Sequence, residues 1–143
     1  MKIAVASDHG GFALKEEIEK HLIGRGFDVM DLGTHSEESV DYPVFGKCIG
    51  ETVVSGEADC GVAFCGTGVG ISIACNKVKG IRCAVATNCF MAEMAKKHNN
   101  ANILALGGRV LTPGEAAAIV DTWLDSTFEG ERHARRVRLL DEM

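Results

Sequence analysis

The chain alternates between two kinds of segment. Five short apolar runs of β type are "KIAVAS" (2–7), "FDVMDLG" (27–33), "CGVAFCG" (60–66), "GIRCAVA" (80–86) and "ANILALG" (101–107). Helical stretches separate them. In "GFALKEEIEKHLIGRG", Leu14, Ile18 and Leu22 recur every four residues, and Gly24 or Gly26 closes the run. "YPVFGKCIGETVVSG" ends at Ser55-Gly56, "GVGISIACNKV" follows a glycine turn, and "CFMAEMAKKHNN" sets Met91, Met94 and Ala95 near one face. "TPGEAAAIVDTWLDSTF" opens with Thr112 as N-cap, Pro113 in the first turn and Glu115 three residues after the cap. Strands joined through helices run parallel, and the near-continuous apolar character of the first, third and fourth runs places helices on both faces. The expected fold is α/β: a single domain over residues 1–143, a Rossmann-like three-layer α/β/α sandwich around a five-stranded parallel sheet, with a basic helical tail. Strand order is not contained in this pattern.

Composition narrows the function classes. At 143 residues, 46% hydrophobic and 24% charged, the chain buries a sizeable core without staples. Its formal net charge of -5 argues against nucleic acid as a partner. The six cysteines form no CxxC pair, and no stretch approaches the roughly 18 apolar residues of a membrane span. "MKIAVASDHGG" reaches acidic and glycine residues too soon for a signal peptide. The expectation is a reduced, cytoplasmic protein with no membrane partner.

In an open α/β sheet, ligands bind beyond the carboxyl ends of the strands. Those ends read "SDHGG" (7–11), "GTHSEESVDYP" (33–43), "CGTGVG" (65–70), "TNCF" (87–90) and "GGRV" (107–110). Asp8, His9, Asp41, Tyr42, Cys65, Thr67, Asn88 and Arg109 are thereby expected on one rim. The GTGVG turn offers backbone N–H groups and a helix N-terminus to an anion or a developing oxyanion. It lacks the Lys-Ser/Thr ending of a P-loop, and no GxGxxG sits after the first strand, so a nucleotide cofactor is not expected. No HExxH or short His/Cys cluster marks a metal site, and the G-x-S-x-G elbow of an α/β-hydrolase is missing. The tail places Arg132, His133, Arg135, Arg136 and Arg138 within seven positions. It reads either as a solvated helix face or as an anion clamp.

"SDHGGFALK", "DYP" (41–43), "CGTGVGISIACNKVKGIR" (65–82), "HNNAN" (98–102), "GGRV" and "FEGERHARRV" together resemble the type B ribose-5-phosphate isomerases, over essentially the whole chain and in the same order. Allose-6-phosphate and galactose-6-phosphate isomerases are the near relatives of that family. The resemblance implies an aldose–ketose isomerase that needs neither cofactor nor metal and works through a cis-enediolate. It implies Cys65 as the base that moves a proton between C2 and C1, with Thr67 at the reacting end. Backbone N–H groups from Gly66, Gly68, Val69 and Gly70 would hold the enediolate oxygens. His98 would open the sugar ring and Asn99 would hold substrate oxygens. Asp8 and Tyr42 would line the pocket, while His9, Arg109, Arg132 and Arg136 would grip phosphate. It further implies a homodimer or tetramer with active sites at the subunit boundary. Ribose 5-phosphate is the first expected substrate. Allose 6-phosphate, a four-carbon sugar phosphate, and plain sugar-phosphate binding without catalysis are the alternatives. The chain departs from the family pattern at Asn100, where the pattern has aspartate, and at Glu131, where it has glycine.

Other residues read more plainly. Cys48, Cys60, Cys75 and Cys83 are expected to pack, and Cys89 to lie near the rim. Taken alone, His98 reads as a helix-capping residue, His21 as a surface residue and Trp123 as packing for the last helix or an interface.

Overall fold

The computed structural model describes residues 1–143. The elements follow in the order β1 (Lys2–Ser7), α1 (Phe12–Gly24), β2 (Asp28–Asp31), α2 (Tyr42–Val54), β3 (Cys60–Cys65), α3 (Val69–Asn76), β4 (Cys83–Val85), α4 (Cys89–Lys97), β5 (Ile103–Gly107), α5 (Pro113–Asp125) and α6 (Arg132–Asp141). All strand pairs are parallel, in the order β2-β1-β3-β5-β4. The α/β expectation holds, with five parallel strands. Only β1 fills its whole apolar run, and β2 and β4 fall furthest short of theirs. β2 stops at Asp31, because Gly33 turns with φ 97. β4 starts only at Cys83, after Gly80 turns with φ 95. Helix starts were easier to read: Thr112 accepts from the Glu115 N–H, and the Glu115 carboxylate accepts from the Thr112 N–H, a complete capping box.

Strand periodicity divides the core in two. Ile3, Val5, Val62, Phe64, Leu104 and Leu106 face one side, where they meet Leu14, Ile18 and Leu22 of α1, Ala92 and Ala95 of α4, and Ile119 and Trp123 of α5. Ala4, Ala6, Ala63 and Ala105 face the other, against Ile49 and Val53 of α2 and Ile71 and Cys75 of α3. Trp123 is fully buried in the larger core, with the Lys96 ammonium 4.3 Å from its ring centroid. Cys60 and Cys75 are buried and Cys48 and Cys83 partly so, as packing thiols should be. His21 is more engaged than a surface residue: Asp121 sits 2.8 Å from its Nε2. No helix is long and apolar enough to cross a membrane.

The direction in which strands are added reverses between β1 and β3: β2 lies on one side of β1, and β3, β5 and β4 on the other. That switch point opens a crevice at the carboxyl ends of β1 and β3, where α/β sheets bind ligands.

Candidate active site

Three βα turns meet at this crevice. The Asp8 N–H donates to the Phe64 carbonyl at 3.2 Å, joining the first turn to β3. The Gly108 N–H donates to the Cys65 carbonyl at 2.8 Å, and the Arg109 N–H donates to the Gly66 carbonyl at 2.9 Å, joining the fifth strand's turn to the third's. Side chains would not fit between them. A Cβ on Gly108 would lie 2.5 Å from the Gly10 carbonyl oxygen. Gly68 holds φ 84 at the N-cap of α3, a conformation that favours glycine.

Cys65 ends β3 and is 4% exposed. Its Sγ accepts the Gly68 N–H at 3.1 Å and faces the N-terminus of α3, where negative charge is favoured. The loop's other donors divide. The Val69 N–H is taken by Thr67 Oγ1 at 3.2 Å, whereas the Gly66, Thr67 and Gly70 N–H groups donate to nothing in the chain. The N–H groups of Gly66, Thr67 and Gly70 therefore stand open in this turn, while those of Gly68 and Val69 meet Cys65 Sγ and Thr67 Oγ1. Asp8 turns inward, its Oδ1 accepting the Gly11 N–H at 3.1 Å. His9 Nδ1 accepts the Val40 N–H at 3.2 Å, which leaves the proton of a neutral ring on Nε2. Tyr42, in the first turn of α2, lies so close to Gly70 that a Cβ there would meet its ring at 2.8 Å. The Arg109 guanidinium lies over Gly10 and Gly66, within 3.4 Å of where their Cβ atoms would be. Asn88, also expected at the rim, caps α4 by accepting the Met91 N–H at 2.9 Å.

His98, Asn99, Arg132 and Arg136 are not in this crevice. α4 returns antiparallel to the strands, so its C-cap His98, whose N–H donates to the Met94 carbonyl at 2.8 Å, lies at the amino edge of the sheet. Cys65 pairs with Gly107, at the far end of β5. Four residue steps along β5 put about 13 Å between the two edges. Within one chain the expected site is therefore divided. The amino-edge group has its own architecture. The His98 ring stacks on His133, with centroids 4.1 Å apart and planes 9° from parallel, and His98 Nε2 is 3.6 Å from Glu129 Oε1. His133 is 6% exposed and its Nε2 has no hydrogen-bond partner. Burial, then the neighbouring His98 and Arg132, push its protonation below the ordinary histidine range. Arg132 and Arg136 stand one turn apart on the exposed side of α6. No carboxylate of the chain lies within 4 Å of either of them or of Arg109.

His98, Glu129 and His133 place donor atoms within 4.8 Å of one another. Parallel stacked imidazoles cannot aim their in-plane lone pairs at one ion, and Arg132 and Arg136 add positive charge beside them. The group suits an anion better than a cation. Asn99 and Asn100 present carbonyls to Arg82, at 3.1 and 3.0 Å, and Arg82 also pairs with Asp141 at 2.7 Å. A cavity of about 400 Å³ opens beside them, along the β4 edge.

His133 was visible in the sequence only as part of a basic tail. Its four-residue spacing to Val137, the other buried position of α6, was the available signal.

With this geometry in hand, the relatives are informative. The Ribose/Galactose Isomerase family matches residues 3–140. Ribose-5-phosphate isomerase B of Escherichia coli is 48% identical over 139 residues, covering 97% of this chain and 93% of the relative. A structure of Clostridium thermocellum ribose-5-phosphate isomerase B superposes with a TM-score of 0.98 at 58% identity, covering 99% of this chain and 96% of the other. Ribose-5-phosphate isomerase B of Mycoplasma genitalium, with bound ribulose-5-phosphate, superposes with a TM-score of 0.93 at 40% identity, covering 99% and 94%. The fold and crevice thus define an α/β isomerase. The chain belongs to the Ribose/Galactose Isomerase family.

Proposed function

We propose that the chain interconverts ribose 5-phosphate and ribulose 5-phosphate. The observation that carries this reading is the Cys65 sulfur beside the uncommitted N–H groups of Gly66, Thr67 and Gly70, at the switch point of the sheet. In the open-chain aldose, Cys65 as thiolate removes the C2 proton, and the C1 carbonyl oxygen takes up the electron pair as an enediolate. The open N–H donors stabilise that oxygen where charge develops, the form of catalysis that a weakly acidic C–H most needs. The hydroxyl proton passes from O2 to O1, the thiol returns its proton to C1, and the carbonyl re-forms at C2. Asp8 and Tyr42 line the sugar. His9, with its proton on Nε2, and Arg109 reach the phosphate.

The second half of the site comes from a second copy of the chain. His98 moves a proton from the anomeric hydroxyl to the ring oxygen, Asn99 holds sugar oxygens, and Arg132 and Arg136 add a charge-assisted grip on the phosphate. A symmetric dimer, alone or within a tetramer, supplies two such composite sites. Support comes from the roughly 13 Å division within one chain, from the unpaired state of the three arginines, and from the relative that binds ribulose-5-phosphate.

The test is complementation. Cys65→Ala and His98→Asn, each expected to be inactive on ribose 5-phosphate, are unfolded together and refolded as a mixture. A two-site dimer then recovers about a quarter of wild-type activity, since half the dimers are mixed and each carries one intact site. Full activity of Cys65→Ala alone would sink the base assignment, and no recovery in the mixture would sink the shared site. A panel of four-, five- and six-carbon aldose phosphates fixes the substrate; a preference for allose 6-phosphate or a tetrose phosphate would replace ribose 5-phosphate.

A further inference from the structure

Lys15 is the one lysine of the chain with no exposure at all. Its ammonium donates to both oxygens of Asp31, at 2.9 and 2.7 Å, and to Glu16 Oε1 at 2.9 Å, with the Phe12 ring centroid 5.5 Å away. None of these residues belongs to the site described above. A buried ammonium is costly unless paired, so the Lys15–Asp31 contact is tightly held, and both partners are needed for it.

What the pair holds is the start of the segment between β2 and α2. Asp31 Oδ1 also accepts the Gly33 N–H at 2.9 Å. Gly33 and Thr34 then clasp Ser7, the residue before Asp8: the Ser7 N–H donates to the Gly33 carbonyl at 2.7 Å, and the Thr34 N–H to the Ser7 carbonyl at 2.8 Å. Further along the same segment, the Val40 N–H donates to His9 Nδ1. The segment ends in Tyr42, whose ring lies against Gly70. One strap, residues 33–41, thus starts at Asp31, grips the residue before Asp8, orients His9 and delivers Tyr42. Most of it is exposed, and between Thr34 and Val40 little else ties it down.

We propose that Lys15 and Asp31 are a positioning pair for the sugar-phosphate wall, acting through the strap 33–41 on His9 and Tyr42; this rests on the binding roles proposed above for those two residues. The pair is also placed to respond to pH. Glu16, Glu19 and Asp31 bring carboxylate oxygens within 4.8 Å of one another around the Lys15 ammonium. Burial, then Asp31, push Glu19 up to about 7. Asp31 of β2 and Lys15 and Glu16 of α1 are the charged groups that face it. Below that pH a protonated Glu19 can donate to Asp31; above it, a second anion competes with Asp31 for Lys15, and the strap's anchor weakens.

The experiment compares the wild type with Asp31→Asn, Lys15→Met and Glu19→Gln, by steady-state kinetics and by hydrogen–deuterium exchange of the 33–41 segment. Asp31→Asn and Lys15→Met should raise KM for ribose 5-phosphate about tenfold with kcat held within about twofold, the signature of lost uniform binding. Exchange in 33–41 should quicken while β3 and β5 stay protected. Wild-type KM should rise about threefold from pH 6 to pH 8, and that rise should vanish in Glu19→Gln. Folded variants with wild-type KM and unchanged strap exchange would overturn the proposal, and an unaltered pH slope in Glu19→Gln would remove its pH dependence. Should Lys15→Met fail to fold, the near-isosteric Asp31→Asn decides. If no aldose phosphate is turned over but the strap loosens in Asp31→Asn, the anchor stands and the functional reading falls.

Discussion

The crevice at the carboxyl ends of the strands and the cluster at the amino edge are built by different means. The crevice is made of backbone. Its turns are locked by main-chain hydrogen bonds and approach so closely that Gly108 has no room for a Cβ. The amino-edge cluster is made of side chains, with two stacked imidazoles, Glu129 and the arginines of a short helix outside both cores. The N-cap residue of that helix, Glu131, has φ 55 and ψ -125, a region almost confined to glycine. Backbone donors that cannot move suit a charge that develops and disappears, whereas side chains on a peripheral helix suit a role completed by docking against another copy.

Substitutions in the crevice should cost most. Gly108→Ala puts a methyl group 2.5 Å from the Gly10 carbonyl. The turn must shift, and we expect a loss of about 3 kcal/mol in urea unfolding together with nearly all isomerase activity. An Ala variant as stable and active as the wild type would show that the crevice is not backbone-limited.

The amino edge should respond more mildly and with a pH signature. His133→Phe keeps a flat ring against His98 but cannot titrate. Because the fold lowers His133 protonation, the wild type gains stability from it above the free histidine value of about 6.5 and loses that contribution as pH falls. The Tm difference between pH 7.5 and pH 5.5 should therefore be smaller in His133→Phe. An equal difference in both proteins would remove His133 from the acid response.

The smallest effect separates strain from function. Glu131→Gly relieves the positive φ and should stabilise the chain by about 1 kcal/mol in urea unfolding. Loss of stability would mean that the Glu131 side chain contributes more than its backbone costs.

Much of this was legible in the residues. The alternation of apolar runs and helices implied five parallel strands, and the ends of those runs implied which side chains share a rim. Asp8, His9, Tyr42, Cys65 and Arg109 are found there, because a strand's last residue and the turn behind it are local properties. The resemblance placed His98 with Cys65 without saying where each stands in one chain. The antiparallel return of α4 decides that, and it sends a helix C-cap to the edge opposite its own strand's turn.

Lys15 shows the boundary most clearly. By spacing it stands beside Leu14 and Ile18 at the margin of an apolar stripe, where a lysine ordinarily reaches for water. The sequence by itself determined the helix, the strand and the glycine that ends it. Only the pairing of β1 with β2 brought Asp31 over Lys15, and only the order of the sheet put β3 on the other side of β1 to open the crevice. Local propensity and periodicity are set within a few residues of chain, whereas contacts between residues 16 positions apart, or between two ends of one sheet, exist only once the strands have chosen their neighbours.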